Sequence, residues 1–227
     1  MVSSHETLEW ADPTNDATDT GDRLSTGIEI LDRKLGGGIP AGRTVLLSAS
    51  PVSQSELFLY EMAGARDTMY LTSERTVEDV EISLARYDDE SNHTTVHHID
   101  ASDPIGDARE KLSELTDAST LIVDPMGPLE EANEREYRTF LNELKTRTHE
   151  TRSLSVLHCL DGRQVPAQRD RTEYLSDVIF NLVTRLRGGS VENSLTVPKF
   201  RGGAARTDAI QLDLTTNVTI DVSRKIA

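Results

Sequence analysis

The sequence is short of cysteine and of long hydrophobic runs. Cys159 is the single cysteine among 227 residues, which excludes an internal disulfide and a metal site built from several cysteines. No apolar run approaches the ~18 residues that a membrane-spanning helix requires, and the first residues lack the pattern of a signal peptide. We therefore expect a cytoplasmic protein in which Cys159, within an apolar strand, is buried and inert.

Basic and aromatic residues are also scarce. The chain carries 39 aspartates and glutamates against 24 lysines and arginines, a net charge of −15, and only 4% of its residues are aromatic. This composition suits a very salty cytoplasm, because the screening length falls to ~3 Å at 1 M salt and repulsion between carboxylates weakens. It indicates a halophilic source, and ordinary solubility is the alternative interpretation. It also argues against nucleic acid as the partner, since phosphate binding requires clustered cations.

What the chain does contain is a regular alternation of apolar strands and amphipathic helices. Residues 1–22 are polar and acidic, and we predict a flexible tail. Its one aromatic residue, Trp10, is expected to dock on the domain, with docking on a partner as the alternative. Residues 23–227 are predicted to form a single α/β domain with a mostly parallel sheet and helices on both faces. The last strands, which no helix separates, are predicted to extend the sheet in antiparallel fashion.

Local signals place individual elements within this domain. Thr76 and Asp103 are predicted helix N-caps, and Pro104 follows at the first helical position. The strand "TLIVD" (120–124) is the most apolar and is predicted to be central in the sheet. The longest helix, near residues 133–150, is predicted to bury one face, which consists of Tyr137, Phe140, Leu141 and Leu144.

Five short segments occur in the order found in one ATPase family. They are "STGIEILDRKLGGGIPAGRTVLLSASP" (25–51), "YLTSERTVEDV" (70–80), "STLIVDPMGPL" (119–129), "EYLSDVIFNL" (173–182) and "VPKFRGG" (197–203). Together they resemble KaiC-like members of the RecA superfamily. The resemblance implies a RecA-like three-layer sandwich. Within it, the glycines at 36–38 are predicted to form a turn that leads into the sheet rather than a phosphate cradle.

The resemblance makes the loop after the first core strand, "SASPVSQSE" (48–56), the expected nucleotide site. A phosphate-binding Walker A loop reads G-x-x-x-x-G-K-[ST], because glycines let N–H groups converge on phosphate, lysine neutralises it and the hydroxyl binds Mg²⁺. Alignment with the family puts Ala49 and Gln54 at the two glycines, Val52 at a further glycine, Ser55 at the lysine and Glu56 at the hydroxyl. Every required position has changed, so we predict a degenerate loop that binds no nucleotide and no other cofactor.

Part of this loop sequence also has a purely structural interpretation. "SQSE" (53–56) has the S-x-x-E form of a capping box. We predict that Ser53 is the N-cap of a helix over about residues 53–64 and that Glu56 bonds back to it. A side chain would then supply the negative charge that the helix dipole otherwise takes from phosphate.

At other positions of the family's pattern, the residue either matches the pattern or carries the opposite charge. Asp124 matches the Walker B aspartate, although a strand-end aspartate that caps the next turn is an equally good interpretation. Glu74 matches the first of two water-activating glutamates, and Arg75 reverses the charge at the second. Glu74 and Asp124 would then be vestigial, and Glu74 with Arg75 could be a simple surface pair. Lys199 and Arg201 match cations that reach a neighbouring subunit's phosphates, or they are solvated charges on an edge strand.

Three histidines invite a metal hypothesis. His97 and His98 are adjacent in a strand and point to opposite faces, so we predict no metal site and treat them and His158 as core or surface residues. A bare divalent ion between Glu56 and Asp124 is a weaker alternative.

These features predict a non-catalytic, KaiC-like pseudo-ATPase that acts by protein–protein contact in regulation or signalling. Its expected partner is an active KaiC-like ATPase or further copies of the chain. Two alternatives stay open. One is a recombination mediator of the RadA-paralogue type that binds single-stranded DNA, for which "TRLRGG" and "KFRGG" are the basic clusters of the sequence. The other is a weak atypical ATPase in which Glu56 is protonated or turned away.

Overall fold

The architecture is organised around a nine-stranded sheet. The computed structural model describes residues 22–87, 93–203 and 208–220. The strands of this sheet are β3 (Arg43–Ala49), β4 (Thr68–Thr72), β5 (Thr94–His98), β6 (Thr120–Asp124), β7 (Leu154–Leu160), β8 (Val178–Arg187), β9 (Ser190–Phe200), β10 (Ile210–Leu214) and β11 (Val218–Ile220). They stand in the order β11-β10-β9-β8-β3-β7-β6-β4-β5. A small separate sheet pairs β1 (Arg23–Leu24) with β2 (Ile39–Pro40).

Strand direction divides the large sheet into two parts. From β8 to β5 every neighbouring pair is parallel, whereas β8–β9, β9–β10 and β10–β11 are antiparallel. The predicted mostly parallel sheet with antiparallel C-terminal strands is therefore confirmed. The middle strand is β3. The apolar β6 lies inside the sheet between β7 and β4, with all five residues buried, because helices cover both of its faces.

Seven helices flank the sheet in the described residues. They are α1 (Glu29–Lys34), α2 (Glu56–Gly64), α3 (Val77–Leu84), α4 (Pro104–Leu112), α5 (Gly127–Glu130), α6 (Glu134–Glu150) and α7 (Arg169–Leu175). The predicted caps of α3 and α4 are confirmed, since Thr76 accepts from the N–H of Asp79 and Asp103 from that of Gly106. Helices α1, α5 and α7 span only four to seven residues, too short to show a hydrophobic period in the sequence.

Two hydrophobic cores lie on opposite faces of the sheet. Alternation along β3 sends Val45 and Leu47 to one core, where Phe58 and Leu59 of α2 cover them, and Leu46 to the other. Helices α4 and α6 cover the second core. The predicted apolar face of α6 is buried there and consists of Tyr137, Phe140, Leu141 and Leu144. This two-sided burial is the three-layer arrangement that the sequence predicts.

The amino-terminal segment lies almost wholly outside the described residues. The structure begins at Asp22, whose carboxylate pairs with Arg152 at 2.9 Å. The prediction for the tail, including the docking of Trp10, therefore falls outside the described ranges. Among the described residues, no helix is long and apolar enough to cross a membrane.

The triple glycine forms the turn from α1 into β2, as predicted. All three residues have positive φ, from +77° at Gly36 to +107° at Gly38. A Cβ at Gly38 would lie 2.4 Å from the carbonyl oxygen of Leu24, whereas a Cβ at Gly36 would meet nothing within 4 Å. Gly38 is therefore required both for its backbone angle and for the approach of β1.

We expect Gly38→Ala to destabilise the protein more than Gly36→Ala. Positive φ destabilises both variants by about 1–2 kcal/mol. Only Gly38→Ala also places a Cβ against the Leu24 carbonyl and so pushes β1 away from β2. Urea unfolding of both variants in high salt measures the difference. Equal losses for the two variants would contradict the assigned role of Gly38.

Candidate functional site

The candidate site lies at the carboxyl edge of the parallel strands. Strands β3, β7 and β6 end side by side there, with Val123 opposite Leu157 and Ala49 opposite Leu160. The loop of residues 50–55 joins β3 to α2 at this edge. In open α/β sheets ligands bind outside the carboxyl ends of the strands, so the side chains at these ends decide what the edge can do.

The start of α2 differs from the predicted capping box. The helix begins at Glu56, and its N-cap is Ser55, which makes no side-chain capping bond. Ser53 donates its hydroxyl and its N–H to the carbonyl of Ser50, at 2.6 and 2.9 Å. The prediction of Ser53 as N-cap was wrong because this tight turn ties up its side chain before the helix starts. The half-buried Glu56 still lies in the first turn, where a carboxylate favours the helix dipole.

Ser55 instead belongs to a buried polar chain. Its Oγ lies 3.0 Å from Nε2 of His158, and Nδ1 of His158 lies 2.6 Å from Oδ1 of Asp124. The hydroxyl of Tyr70 donates to the other Asp124 oxygen at 2.5 Å. Ser55 and His158 are each 1% exposed, Asp124 4% and Tyr70 0%. We call Ser55, His158, Asp124 and Tyr70 the buried polar chain.

The members of the buried polar chain satisfy one another. A neutral imidazole donates through Nδ1 to the carboxylate and accepts at Nε2 from the Ser55 hydroxyl. Burial alone would raise the pKa of Asp124, but the bonds from His158 and Tyr70 and the charge of Arg75 outweigh it, so this pKa is lowered. Burial and the Asp124 charge raise the pKa of Tyr70 well above its usual value. Asp124 is thus held ionised and Tyr70 protonated.

Serine, histidine and aspartate in this order of contact also resemble a hydrolase triad. A nucleophilic serine must reach a substrate carbonyl, however, and the Ser55 residue is 99% buried by the loop and the strand ends around it. The arrangement links α2, β7, β6 and β4 through hydrogen bonds. These bonds hold the N-terminus of α2 against the strand ends.

Glu74 and Arg75, the residues aligned with the water-activating glutamates, lie in different environments. Glu74 is exposed after β4. Arg75 turns toward α2 and α3, where it donates to the hydroxyl of Tyr60 and, at 3.1 Å, to the carbonyl of Asp79 and the hydroxyl of Ser83. Arg75 therefore joins two helices rather than forming a surface pair with Glu74.

The two cations of the predicted trans segment are bonded within the chain. Lys199 Nζ donates to the carbonyls of Glu173 and Tyr174 at 2.7 and 2.8 Å, at the end of α7. Arg201 donates to the Tyr174 carbonyl at 3.0 Å and lies 3.4 Å from Asp177. The ring of Tyr174 faces both cations, at 5.7 and 5.9 Å. Burial and the neighbouring Arg201 lower the pKa of Lys199. Their contact with a neighbouring subunit stays a prediction.

The remaining candidate residues have structural environments. Cys159 is fully buried, as predicted, and burial followed by the nearby Glu130 carboxylate raises its pKa well above the usual value. His97 is half-buried and His98 exposed on the edge strand β5. Within the described ranges, no group of three or more histidine, cysteine, aspartate or glutamate side chains is arranged to hold a metal ion.

Sequence reasoning found Ser55 and Asp124 but missed the residues that join them. His158 and Asp124 each follow an apolar run, in "SVLHCL" and "TLIVDP". Because β6 and β7 are parallel and in register up to Val123 and Leu157, the next residues, Asp124 and His158, lie side by side. A register argument could therefore have predicted the His158–Asp124 contact. The Tyr70 contact has no sequence signal of this kind.

The fold and this edge place the protein in a known structural class. The KaiC-like protein PH0186 of the hyperthermophilic archaeon Pyrococcus horikoshii superposes on it with a TM-score of 0.71, over 88% of this chain and 99% of that one. The two sequences are 16% identical, so the likeness concerns the fold. The predicted α/β architecture is confirmed as a KaiC-like RecA fold.

Sequence comparison then gives the family. The chain belongs to DUF7125, a family of unknown function, whose profile matches residues 23–227. No curated protein matches the sequence significantly.

We expect His158→Ala to destabilise the protein by at least about 1–3 kcal/mol, the cost of leaving a buried polar group without its hydrogen-bond partner. Ser55 loses its partner and Asp124 keeps only Tyr70. His98→Ala, at an exposed position, is the matched control and should change stability by no more than about 0.5 kcal/mol. Urea unfolding in high salt measures both. A small effect of His158→Ala would show that the buried polar chain does not hold this edge together.

Proposed function

We propose that the protein is a non-catalytic KaiC-like domain, a pseudo-ATPase that acts by contact with another protein in regulation or signalling in a halophilic archaeon. One observation carries the proposal. Ser55, at the position of the phosphate-binding lysine, is buried and bonded to His158. This position therefore holds a hydroxyl that is bonded inside the protein, where an ATPase would keep a charged group for a ligand.

Electrostatics at the loop supports this proposal. The residues 50–55 contain no lysine, arginine or glycine, and the first helical residue is Glu56. A carboxylate about 4 Å from a phosphate charge costs about 4 kcal/mol at an effective dielectric of 20. With no cation in the loop to offset it, this repulsion disfavours a nucleotide phosphate at the start of α2.

The residues aligned with the catalytic positions of KaiC-like ATPases also support the pseudo-ATPase proposal. Hydrolysis requires a base that orients water, but Glu74 is exposed and Arg75 is bonded to Tyr60 between α2 and α3. Asp124, aligned with the Walker B residue, accepts hydrogen bonds from His158 and Tyr70 through both of its oxygens. Of the residues aligned with catalytic positions, Arg75 and Asp124 are therefore engaged in other contacts.

One observation favours the DNA-binding alternative to a limited degree. Tyr174, 73% exposed, lies beside Lys199 and Arg201, and aromatic rings next to cations are used to stack single-stranded bases. The ammonium of Lys199 is, however, bonded to two α7 carbonyls, and the chain has a charge of −15. Protein contact therefore remains the better-supported function.

We expect ATP with Mg²⁺ to leave the melting temperature of the protein unchanged at millimolar concentrations. A ligand at 100 times its Kd would stabilise the protein by about 2.7 kcal/mol, which a thermal scan in high salt detects. Mg²⁺ without ATP is the control. A reproducible rise that requires ATP would support the weak-ATPase alternative and overturn the proposal.

A second prediction concerns a rebuilt loop, with Ala49→Gly, Val52→Gly, Gln54→Gly, Ser55→Lys and Glu56→Thr. We expect this variant to fold but to lose at least about 1–3 kcal/mol, because His158 is left without its hydroxyl partner. It should gain at most weak ATP binding and no useful hydrolysis, since Arg75 still occupies the second glutamate position.

Phosphate release and thermal scans with ATP measure the two properties of the rebuilt variant. Adding Arg75→Glu to it provides the matched comparison and should give the higher turnover of the two. Brisk hydrolysis by the five-substitution variant would show that only the loop separates this chain from an active ATPase.

A further inference from the structure

A positively charged surface lies where α7 ends. Three cations converge there on the last carbonyls of the helix, and they are Lys145, Lys199 and Arg201. Lys145 and Arg201 share one carboxylate, that of Asp177, at 3.0 and 3.4 Å. Lys199 bonds to two neutral carbonyls, which leave its charge uncompensated. We call Lys145, Tyr174, Lys199 and Arg201 the cationic surface.

The cationic surface carries an excess of positive charge. Glu173 is the second carboxylate near it, so three cations face two carboxylates. Arg23 adds a further cation, because it donates to the carbonyl of Gly202 at 3.4 Å, and Gly202 follows Arg201 in the chain. Burial and the Arg201 charge lower the pKa of Lys199. In a chain with a net charge of −15, this excess marks a place that favours an anionic group.

Tyr174 gives the cationic surface an aromatic part. The residue is 73% exposed, and its ring centroid lies 5.7 Å from Nζ of Lys199 and 5.9 Å from the guanidinium carbon of Arg201. Every other exposed large apolar residue that the structure describes is aliphatic. A segment that fits this surface therefore needs an aromatic side chain with carboxylates close to it.

The first 21 residues of the chain, here called the amino-terminal segment, have this composition. They contain one tryptophan, Trp10, and no lysine or arginine. Their five acidic residues are Glu6, Glu9, Asp12, Asp16 and Asp19. Pro13 favours an extended backbone at Asp12, and in an extended segment Trp10 and Asp12 point to the same side. Residues 9–12 therefore combine an aromatic ring with two nearby carboxylates.

The amino-terminal segment joins the described structure close to the cationic surface. Arg23, the second described residue, contacts Gly202, the neighbour of Arg201. Trp10 precedes Arg23 by 13 positions, and an extended chain of that length spans about 40 Å. The guanidinium of Arg201 lies 5.9 Å from the ring of Tyr174. The segment is therefore long enough to bring Trp10 to Tyr174 of the same molecule.

We propose that residues 9–12 dock on the cationic surface of their own molecule. Trp10 packs against the ring of Tyr174 in the offset or edge-to-face geometry that aromatic pairs prefer. The carboxylates beside Trp10 form charge-assisted hydrogen bonds with Lys199 and Arg201. The docked segment then covers the two cations that the family resemblance aligns with contacts to a neighbouring subunit, so it competes with a protein partner. This competition rests on the proposed function, whereas the docking does not.

The test is acrylamide quenching of tryptophan fluorescence in the full chain in high salt, because Trp10 is the only tryptophan and acrylamide is uncharged. We expect Trp10 to be protected relative to the chain unfolded in urea. Tyr174→Ala should raise the quenching constant to nearly the unfolded value. Ile82→Ala is the matched control, since Ile82 is also exposed, at 66%, but lies on α3, and it should leave the quenching constant unchanged.

Two double variants test the amino-terminal segment without altering the domain. Glu9→Gln with Asp12→Asn should expose Trp10. Asp16→Asn with Asp19→Asn removes the same charge and should leave Trp10 protected. Equal effects of the two double variants would overturn the proposal, as would protection that Tyr174→Ala does not reduce, or a Trp10 as open to acrylamide in the folded chain as in the unfolded one.

Protection that falls on dilution would also overturn the proposal, because it would place the segment on a second copy of the chain. A thermal scan with ATP on the same samples tests the pseudo-ATPase function separately. Failure of the docking is therefore distinguishable from failure of the proposed function.

Discussion

The contact between His158 and Asp124 fixes the geometry of the carboxyl edge of the sheet. It joins the ends of β7 and β6, and through Ser55 and Tyr70 it extends to α2 and β4. A buried carboxylate is tolerated only when its oxygens are bonded, and each of the two Asp124 oxygens has a partner. This arrangement holds the N-terminus of α2 over the sheet.

The sequence predicted those parts of the fold that local signals determine. The caps at Thr76 and Asp103 and the apolar face of α6 depend on residues three or four positions apart, and all were correct. The capping box at residues 53–56 has an equally good local pattern but failed. Ser53 found a nearer acceptor in Ser50, and the Ser55 hydroxyl bonds to a histidine 103 residues further along the chain. A four-residue sequence pattern carries no information about a partner at that separation.

Three side chains at positions that the resemblance to KaiC-like ATPases aligns with nucleotide chemistry make contacts within their own chain. Ser55 contacts His158, Arg75 contacts Tyr60, and Lys199 contacts the end of α7. Each of these three side chains has a hydrogen-bond partner within its own chain. These contacts keep the buried members from being left unpaired, which would cost about 1–3 kcal/mol for each group. The substitutions are therefore compatible with a well-ordered edge as well as with the proposed loss of activity.

The bonding of Ser55 inside the protein has a consequence for how such a protein would behave in a cell. The surface of an ATPase changes with the nucleotide it holds, so its partners sense the balance of ATP and ADP. If the proposed function is correct, the hydrogen bonds of the buried polar chain hold the start of α2 at all times, as a bound nucleotide would in an ATPase. The surface of the protein would then be insensitive to the energy state of the cell, and occupancy of a partner would follow only the amount of protein made and the affinity of the contact.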